Sequence, residues 1–208
     1  MFGLRVTAGP LQLTPIRDQD IPALAALAEQ GIHDPTAMPF LVPWSAAPTD
    51  ELGRIMAAYY WRARAEFTPA NWDLLLAARW DGVVVGVQGV HTADYLVTRT
   101  AETGSWLGRA HQGRGIGTLM RQTICALLFD HLDAQELTSG AFEDNPASLA
   151  VSRKVGYRHN GVFRMQRRHG EMVLLRRLRL SPEAMVRSDH PVTVEGVQPL
   201  CRLIGLDR

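Results

Sequence analysis

The sequence predicts a mixed α/β domain with a mostly antiparallel sheet flanked by helices, and three observations carry that prediction. Asp81-Gly82 separates two apolar stretches, Asp73–Trp80 and Val83–His91, which is the signature of a tight hairpin. Ile116, Leu119, Met120, Ile124, Leu127 and Leu128 recur at the helical period. Between the hairpin and that helix, a strand-like stretch at Thr100–Leu107 leads to three closely spaced glycines, Gly113, Gly115 and Gly117.

In chain order, Leu11–Ile16 alternates like a short strand, with Pro15 marking an edge or an end. Asp20 opens a helix in which Ile21, Leu24, Leu27 and Ala28 share one face, and Gly31 stops it. Residues 32–48 carry Pro35, Pro39, Pro43 and Pro48 and read as a loop. Met38, Phe40, Leu41, Val42 and Trp44 make it apolar enough to fold over a core edge or a ligand. Thr49 starts a second helix that runs toward Phe67. The hairpin and the Thr100–Leu107 strand then form a meander. After the helix from Ile116 come a strand at Leu137–Phe142 and a short helix at Ala147–Val155, ended by Gly156. Val162–Arg168 and Met172–Leu180 make a last hairpin around His169-Gly170. The expected division is a domain over residues 1–180 and an extension over 181–208, where Val192-Thr-Val-Glu-Gly-Val can add a strand.

Composition narrows the function. A chain of 208 residues suits one domain with a tail, and 46% apolar with 21% charged residues suits a soluble globular protein. Lys+Arg 22 against Asp+Glu 21 leaves a net charge of +1, which gives no general footprint for nucleic acid. No apolar run approaches the roughly 20 residues of a membrane span, and the start does not read as a signal peptide. Cys125 and Cys201 build no disulfide framework, and the seven histidines show no zinc spacing. A cytoplasmic protein without metal, nucleic-acid or membrane partners is expected.

The chemistry concentrates in residues 104–118. Glycines let the backbone approach a ligand closely, and the first N–H groups of the following helix have no helical acceptors. The helix dipole favours an anion there, so the turn suits a phosphate or pyrophosphate, with Arg114 able to add a charge. No Lys-Ser or Lys-Thr follows the last glycine, which excludes the P-loop. The antiparallel meander excludes the dinucleotide-binding unit.

Gln112-x-x-Gly115-x-Gly117 resembles the glutamine/arginine-x-x-glycine-x-glycine turn of the GNAT acyltransferases, which holds the pyrophosphate of coenzyme A. Asn145-Pro-Ala-Ser148, followed by Lys154-Val155-Gly156-Tyr157, resembles a second stretch of that family, most of all in its RimJ/RimL-type members. Further stretches are similar to an actinobacterial GNAT subgroup that includes a mycobacterial succinyl-CoA-using member. They are His33-Asp-Pro, Val42-Pro-Trp44, Gly104-Ser-Trp-Leu-Gly108 and the tail around Cys201.

The resemblance implies an N-acyltransferase in which a primary amine, on a small molecule or a protein N-terminus or lysine, attacks a succinyl-CoA or acetyl-CoA thioester directly. It implies that Trp106, Leu107 and Gly108 offer backbone N–H groups to the oxyanion and the pantetheine arm. Gln112, Gly113, Arg114, Gly115, Ile116, Gly117 and Thr118 would hold the pyrophosphate, with Asn145 near the cofactor. Glu102 is the candidate base, with Glu143 and Asp144 as weaker ones, and Ser148 the candidate acid. The family's usual tyrosine slot falls on Ser152, and the position of the glutamate assigned as base in RimL-like members falls on Arg167. A succinyl tail would need a cation or several donors, for which His33, Arg164 and Arg167 are the candidates. Trp44, Tyr59 and Trp61 are available to wall the acceptor site. A homodimer is implied as well, in which the tail strand could complete a partner's sheet. The alternative function is a non-catalytic acyl-CoA sensor.

Overall fold

Among the described residues nine strands pair into one sheet: β1 (Arg5–Ala8), β2 (Leu11–Pro15), β3 (Asp73–Trp80), β4 (Val83–Thr92), β5 (Thr100–Leu107), β6 (Glu136–Phe142), β7 (Arg158–Arg168), β8 (Glu171–Leu180) and β9 (Val192–Glu195). The structure is a computed structural model and describes residues 1–206. Strand order across the sheet is β7-β8-β6-β5-β4-β3-β2-β1-β9. Every neighbouring pair is antiparallel except β5 with β6. Six α-helices accompany the sheet among the described residues: α1 (Ile21–Glu29), α2 (Thr49–Ala65), α3 (Tyr95–Thr98), α4 (Ile116–His131), α5 (Pro146–Val155) and α6 (Val197–Leu203).

The alternating pattern of β2 buries Leu11 and Leu13 on the α4 side, and Asp81 and Gly82 take the positive φ values (48° and 83°) that a tight β3–β4 turn demands. On one face of the sheet, Met120, Ile124, Leu127 and Leu128 of α4 pack against Leu13, Leu74 and Leu76. On the other, Ile21 and Leu24 of α1 and Met56 and Tyr60 of α2 cover Ala77 and Val87. Each fully buried Leu, Ile or Met contributes roughly 2 kcal/mol by leaving water. Asp20, at the entry to α1, is tied to Arg79 of β3 by a buried ion pair, which locks the α1 side to the sheet.

Three elements go beyond the sequence expectation. β1 is four residues long, too short for its alternation to register as a strand. The one-turn helix α3 and the C-terminal α6 are likewise short. The predicted tail strand is present as β9 and pairs with β1 of its own chain, Arg5 opposite Glu195. Leu200 and Ile204 of the same segment are fully buried in the α4-side core. Among the described residues, no helix is long and apolar enough to cross a membrane.

Candidate active site

The one parallel pairing creates the site. β5 and β6 pair only through Thr100–Glu136, Ala101–Leu137 and Glu102–Thr138, and beyond those rungs the strands part. The gap is laced at its base: Ser139 donates its hydroxyl to the Thr103 carbonyl at 3.0 Å, and Thr103 Oγ1 donates to the Thr138 carbonyl at 3.3 Å. On its far side β5 stays in register with β4 up to Leu107.

Antiparallel hydrogen bonding alternates along a strand. Gly108 donates its N–H to the Val85 carbonyl at 3.0 Å, and the Gly104 carbonyl accepts from Gln88 Nε2 at 2.9 Å. Even-numbered residues of β5 thus turn their backbone groups toward β4. Those of Thr103, Ser105 and Leu107 turn toward the gap. This corrects the expected donor set: Gly108 is committed to Val85 and Trp106 faces β4, so Leu107 remains and Ser105 joins it.

The mouth of the gap meets the glycine turn. Gly113 and Gly115 have φ of 72° and 81°, and a side chain on either would project into open space. Gly115 caps α4, and the N–H groups of Thr118 and Leu119 fold back onto its carbonyl. Those of Ile116 and Gly117, in the first turn, have no helical acceptor. Gln112 fixes the turn in place by donating to the carbonyls of Ile32 and Leu107, at 2.5 and 2.9 Å. Arg114 is exposed at the tip. The expected turn residues therefore sit together, with Gln112 as the brace and Thr118 offering its hydroxyl, its N–H being spent.

At the other end of the gap, Glu102 stands at the last paired rung. Its carboxylate makes no hydrogen bond or ion pair among the described residues. Directly across β4 is His91, and across β3 is Asp73, so Asp73, His91, Glu102 and Thr138 form one line over four strands. His91 Nδ1 lies 2.7 Å from Asp73 Oδ1. His91 is an exposed residue. Its place beside Glu102 depends on the β4–β5 register, which no local pattern encodes.

The proline-rich loop covers this side of the sheet. His33, Phe40, Trp44 and Trp106 contact one another in sequence, with ring centroids 5.8, 5.2 and 5.7 Å apart. His33 is pinned within the loop, one ring nitrogen on the Asp34 carbonyl and the other on Ser45 Oγ, both at 2.8 Å. Arg167 holds the loop from β7 through the Met38 carbonyl at 3.3 Å and is engaged by Asp144 and Glu171. Arg164 is exposed on the opposite face of β7, opposite Leu174 of β8. The three expected partners for an acyl carboxylate are thus not assembled: His33 is pinned, Arg167 is paired and Arg164 faces away. Asp144 and Glu143 are also paired, with Arg167 and Arg176, which weakens them as bases. Tyr59 and Trp61 are more than half exposed, and Trp61 donates to Asp18, so Trp44 is the one of the three expected aromatics that joins this row among the described residues.

Asn145 caps α5, its Oδ1 accepting the Ser148 N–H at 3.1 Å. The Ser148 hydroxyl is uncommitted among the described residues, whereas Ser152, at the tyrosine slot, is buried with its hydroxyl unpartnered. Beneath the gap, burial pushes the Cys125 thiol up to about 11, so it is no nucleophile at neutral pH. Tyr157 lies beside it, its hydroxyl 2.7 Å from Thr103 Oγ1.

Arg121 of α4 reaches the floor of the gap, and the sequence reading missed it. The available signal was a charged residue three before Ile124 and seven before Leu128, on the apolar stripe of its helix. No three His, Cys, Asp or Glu side chains converge as metal ligands among the described residues.

A family described as acetyltransferase (GNAT) domain matches residues 11–158. YdaF of Bacillus subtilis (strain 168), a protein assigned as a ribosomal N-acetyltransferase, is 29% identical over 85 residues, covering 41% of this chain. The match spans just under half of that relative's own length, 46%. RimJ of Mycobacterium smegmatis, in complex with CoA-disulfide, superposes with a TM-score of 0.70 at 21% identity, over 89% of this chain and 88% of its own. RimL, a ribosomal L7/L12 α-N-protein acetyltransferase in complex with coenzyme A, gives 0.68 at 17%, over 84% and 96%. The spermidine N-acetyltransferase of Vibrio cholerae, in complex with CoA and spermine, gives 0.68 at 14%, over 85% and 98%. At these identities the structural likenesses show the fold.

Proposed function

The chain belongs to the GNAT acetyltransferase family, and on that premise we propose that it transfers an acetyl group from coenzyme A to a primary amine, in a ternary complex without a covalent enzyme intermediate. The observation that carries this reading is the gap between β5 and β6. It runs from the glycine turn at the start of α4 to Glu102, an unpaired carboxylate at the last shared rung.

The residues fit coenzyme A. Unsatisfied N–H groups at a helix start suit a pyrophosphate, and the open positions at Gly113 and Gly115 leave room for it. The N–H groups of Ser105 and Leu107 face the gap, where a pantetheine arm needs hydrogen-bonding partners. When bound, the cofactor supplies an acyl group activated as a thioester.

The protein's part is to make the amine neutral and hold it. An ammonium of pKa about 10.4 costs about 4 to 5 kcal/mol to deprotonate at pH 7. Glu102 accepts that proton, directly or through one water, and the half-exposed line through His91 offers it a way to solvent. The aromatic row from His33 to Trp106 and the loop held by Arg167 wall the side from which the amine arrives. Acetyl is favoured over succinyl because Arg167 already has its carboxylates and Arg164 lies on the other face. Amines on a protein N-terminus or a polyamine are the acceptors to try first, since the relatives that share the fold carry those names. A non-catalytic sensor would have no use for the free carboxylate at the apex.

The test is calorimetric binding of acetyl-CoA and succinyl-CoA, followed by turnover with each donor on N-terminal peptides and polyamines, in the unaltered protein and in Glu102→Gln. Acetyl transfer that falls about a hundredfold in the variant, with CoA affinity kept, is the expected result. Absence of CoA binding overturns the reading, and unchanged turnover in Glu102→Gln removes Glu102 from it.

A further inference from the structure

We propose that the Ser105 hydroxyl, backed by the buried guanidinium of Arg121, is the donor that stabilises the thiolate leaving group in the β5–β6 gap. This rests on the coenzyme A reading above and names the device at the leaving-group side of the same site.

Arg121 is 3% exposed and lies within ion-pair distance of no carboxylate among the described residues. Two other arginines set into the fold are answered by carboxylates: Arg79 by Asp20, Arg167 by Asp144 and Glu171. Arg121 has only neutral company. Its Nη1 donates to Ser139 Oγ at 3.1 Å, its Nη2 to Ser105 Oγ at 3.3 Å, and its Nε has no partner. The guanidinium carbon lies 5.8 Å from the Tyr157 ring centroid. Burial raises the pKa of both Tyr157 and Cys125, so neither supplies a negative charge near neutral pH. Glu102 leaves the sheet on the opposite face from Ser105 and Thr103. A buried cation without a counter-charge is costly, and such cost is retained where charge must develop.

The two hydroxyls are not equivalent. Ser139 accepts from Arg121 and spends its own proton on the Thr103 carbonyl. Ser105 accepts from Arg121 and has no recorded acceptor for its proton among the described residues. It is half-buried, and its N–H faces the gap. The positive charge behind its oxygen makes that proton a stronger donor. Ser152, at the slot where the family's tyrosine would stand, is sealed in the core and cannot serve.

The step balances without a further reagent. The neutral amine nitrogen forms the C–N bond and gives one proton to Glu102. The C–S bond breaks and its electron pair stays on sulfur. The sulfur leaves as a thiolate, held by the Ser105 O–H and by the field of Arg121. Ser105 touches the leaving group, and Arg121 acts through it.

The test reads the thiol itself. Free coenzyme A is titrated while bound to the protein, following thiolate absorbance, with protein-only blanks to remove Cys125 and Cys201. In the unaltered protein the bound thiol should titrate about one unit or more below free coenzyme A, a tenfold gain in thiolate. In Ser105→Ala and Arg121→Met that depression should disappear, with CoA affinity at pH 6 changed by less than about threefold. Arg121→Met should keep or raise the melting temperature, because it removes an unanswered buried charge. Arg121→Lys should recover part of the depression. A bound thiol that titrates like the free one, or a depression that survives in Ser105→Ala, overturns the proposal even if Arg121→Met fails to fold. Failure of the unaltered protein to bind coenzyme A would show itself before any titration, and would overturn the coenzyme A reading instead.

Discussion

Arg167 grips Asp144 through both carboxylate oxygens, its Nη1 lying 3.0 and 2.8 Å from them, while its other terminal nitrogen donates to Glu171. The Nη1 group also reaches the Met38 carbonyl, so one side chain joins the end of β6, the β7–β8 hairpin and the proline-rich loop. Arg167→Ala should free that loop. The KM for the amine is expected to rise several-fold, with kcat and CoA affinity kept. Steady-state kinetics over amine concentration decides it: a fall in kcat at constant KM would place Arg167 in the chemistry.

His91 is expected to carry the proton from Glu102 to solvent, with Asp73 fixing its ring. His91→Ala should lower turnover by about tenfold, less than Glu102→Gln does. Raising the imidazole concentration should restore much of the loss, because a small base can occupy the relay. A variant with full activity in dilute buffer would show that water alone serves.

Gly115 and Gly117 separate two roles in the same turn. At Gly115 the backbone is left-handed, so Gly115→Ala should cost about 1 to 2 kcal/mol and weaken CoA binding about tenfold or more. A side-chain carbon at Gly117 would lie 3.6 Å from Leu107 Cδ1 and 3.7 Å from Val151 Cγ2, an ordinary contact. Alanine also favours a helix over glycine. Gly117→Ala should therefore leave the melting temperature level or higher. Thermal melts and CoA calorimetry on both variants make the comparison.

Arg187 clamps Asp130, at the C-terminal end of α4, with two hydrogen bonds of 2.7 and 2.8 Å. Those bonds, aided by the charge of Arg187, hold the Asp130 carboxyl below its ordinary value of 3.8. A carboxylate with a depressed folded pKa stabilises the fold above its unfolded pKa, and that contribution is lost as pH falls through the folded one. Asp130→Asn should therefore lower the urea midpoint by a constant amount at neutral pH. The gap to the unaltered protein should shrink below about pH 4. A gap independent of pH from 2 to 7 would mean that the clamp contributes through shape alone.

Local chemistry made much of the frame legible. Asp81-Gly82 marked the β3–β4 turn, the stripe from Ile116 to Leu128 marked α4, and the glycines marked the anion-binding start of that helix. The site was legible where it is continuous in sequence, from Gln112 to Gly117. It was opaque where it depends on register. The line from Asp73 through His91 to Glu102, and the turning of the Gly108 N–H toward Val85, follow from how strands slide past one another, which composition does not record. Long-range pairing also reversed the reading of the cations. Strand β7 bulges between Gln166 and Arg168, and Arg167 packs over Phe142, in line with Leu175 and Phe163. Arg164, next to Phe163, therefore leaves on the other face, and Arg167 meets carboxylates brought by the end of β6 and by β8.

The pairing of β9 with β1 sets an order of events during synthesis. β1 is translated long before its partner β9, since the sheet's other strands all lie between them in the chain. Until then β1 presents bare backbone donors and acceptors, open to any passing strand, including that of another nascent copy. The segment that relieves this exposure also delivers Leu200 and Ile204 to the core. A chain released early would lack both the edge cover and the hydrophobic plug. It would show quality-control proteases an apolar surface that the finished protein hides under Leu200 and Ile204.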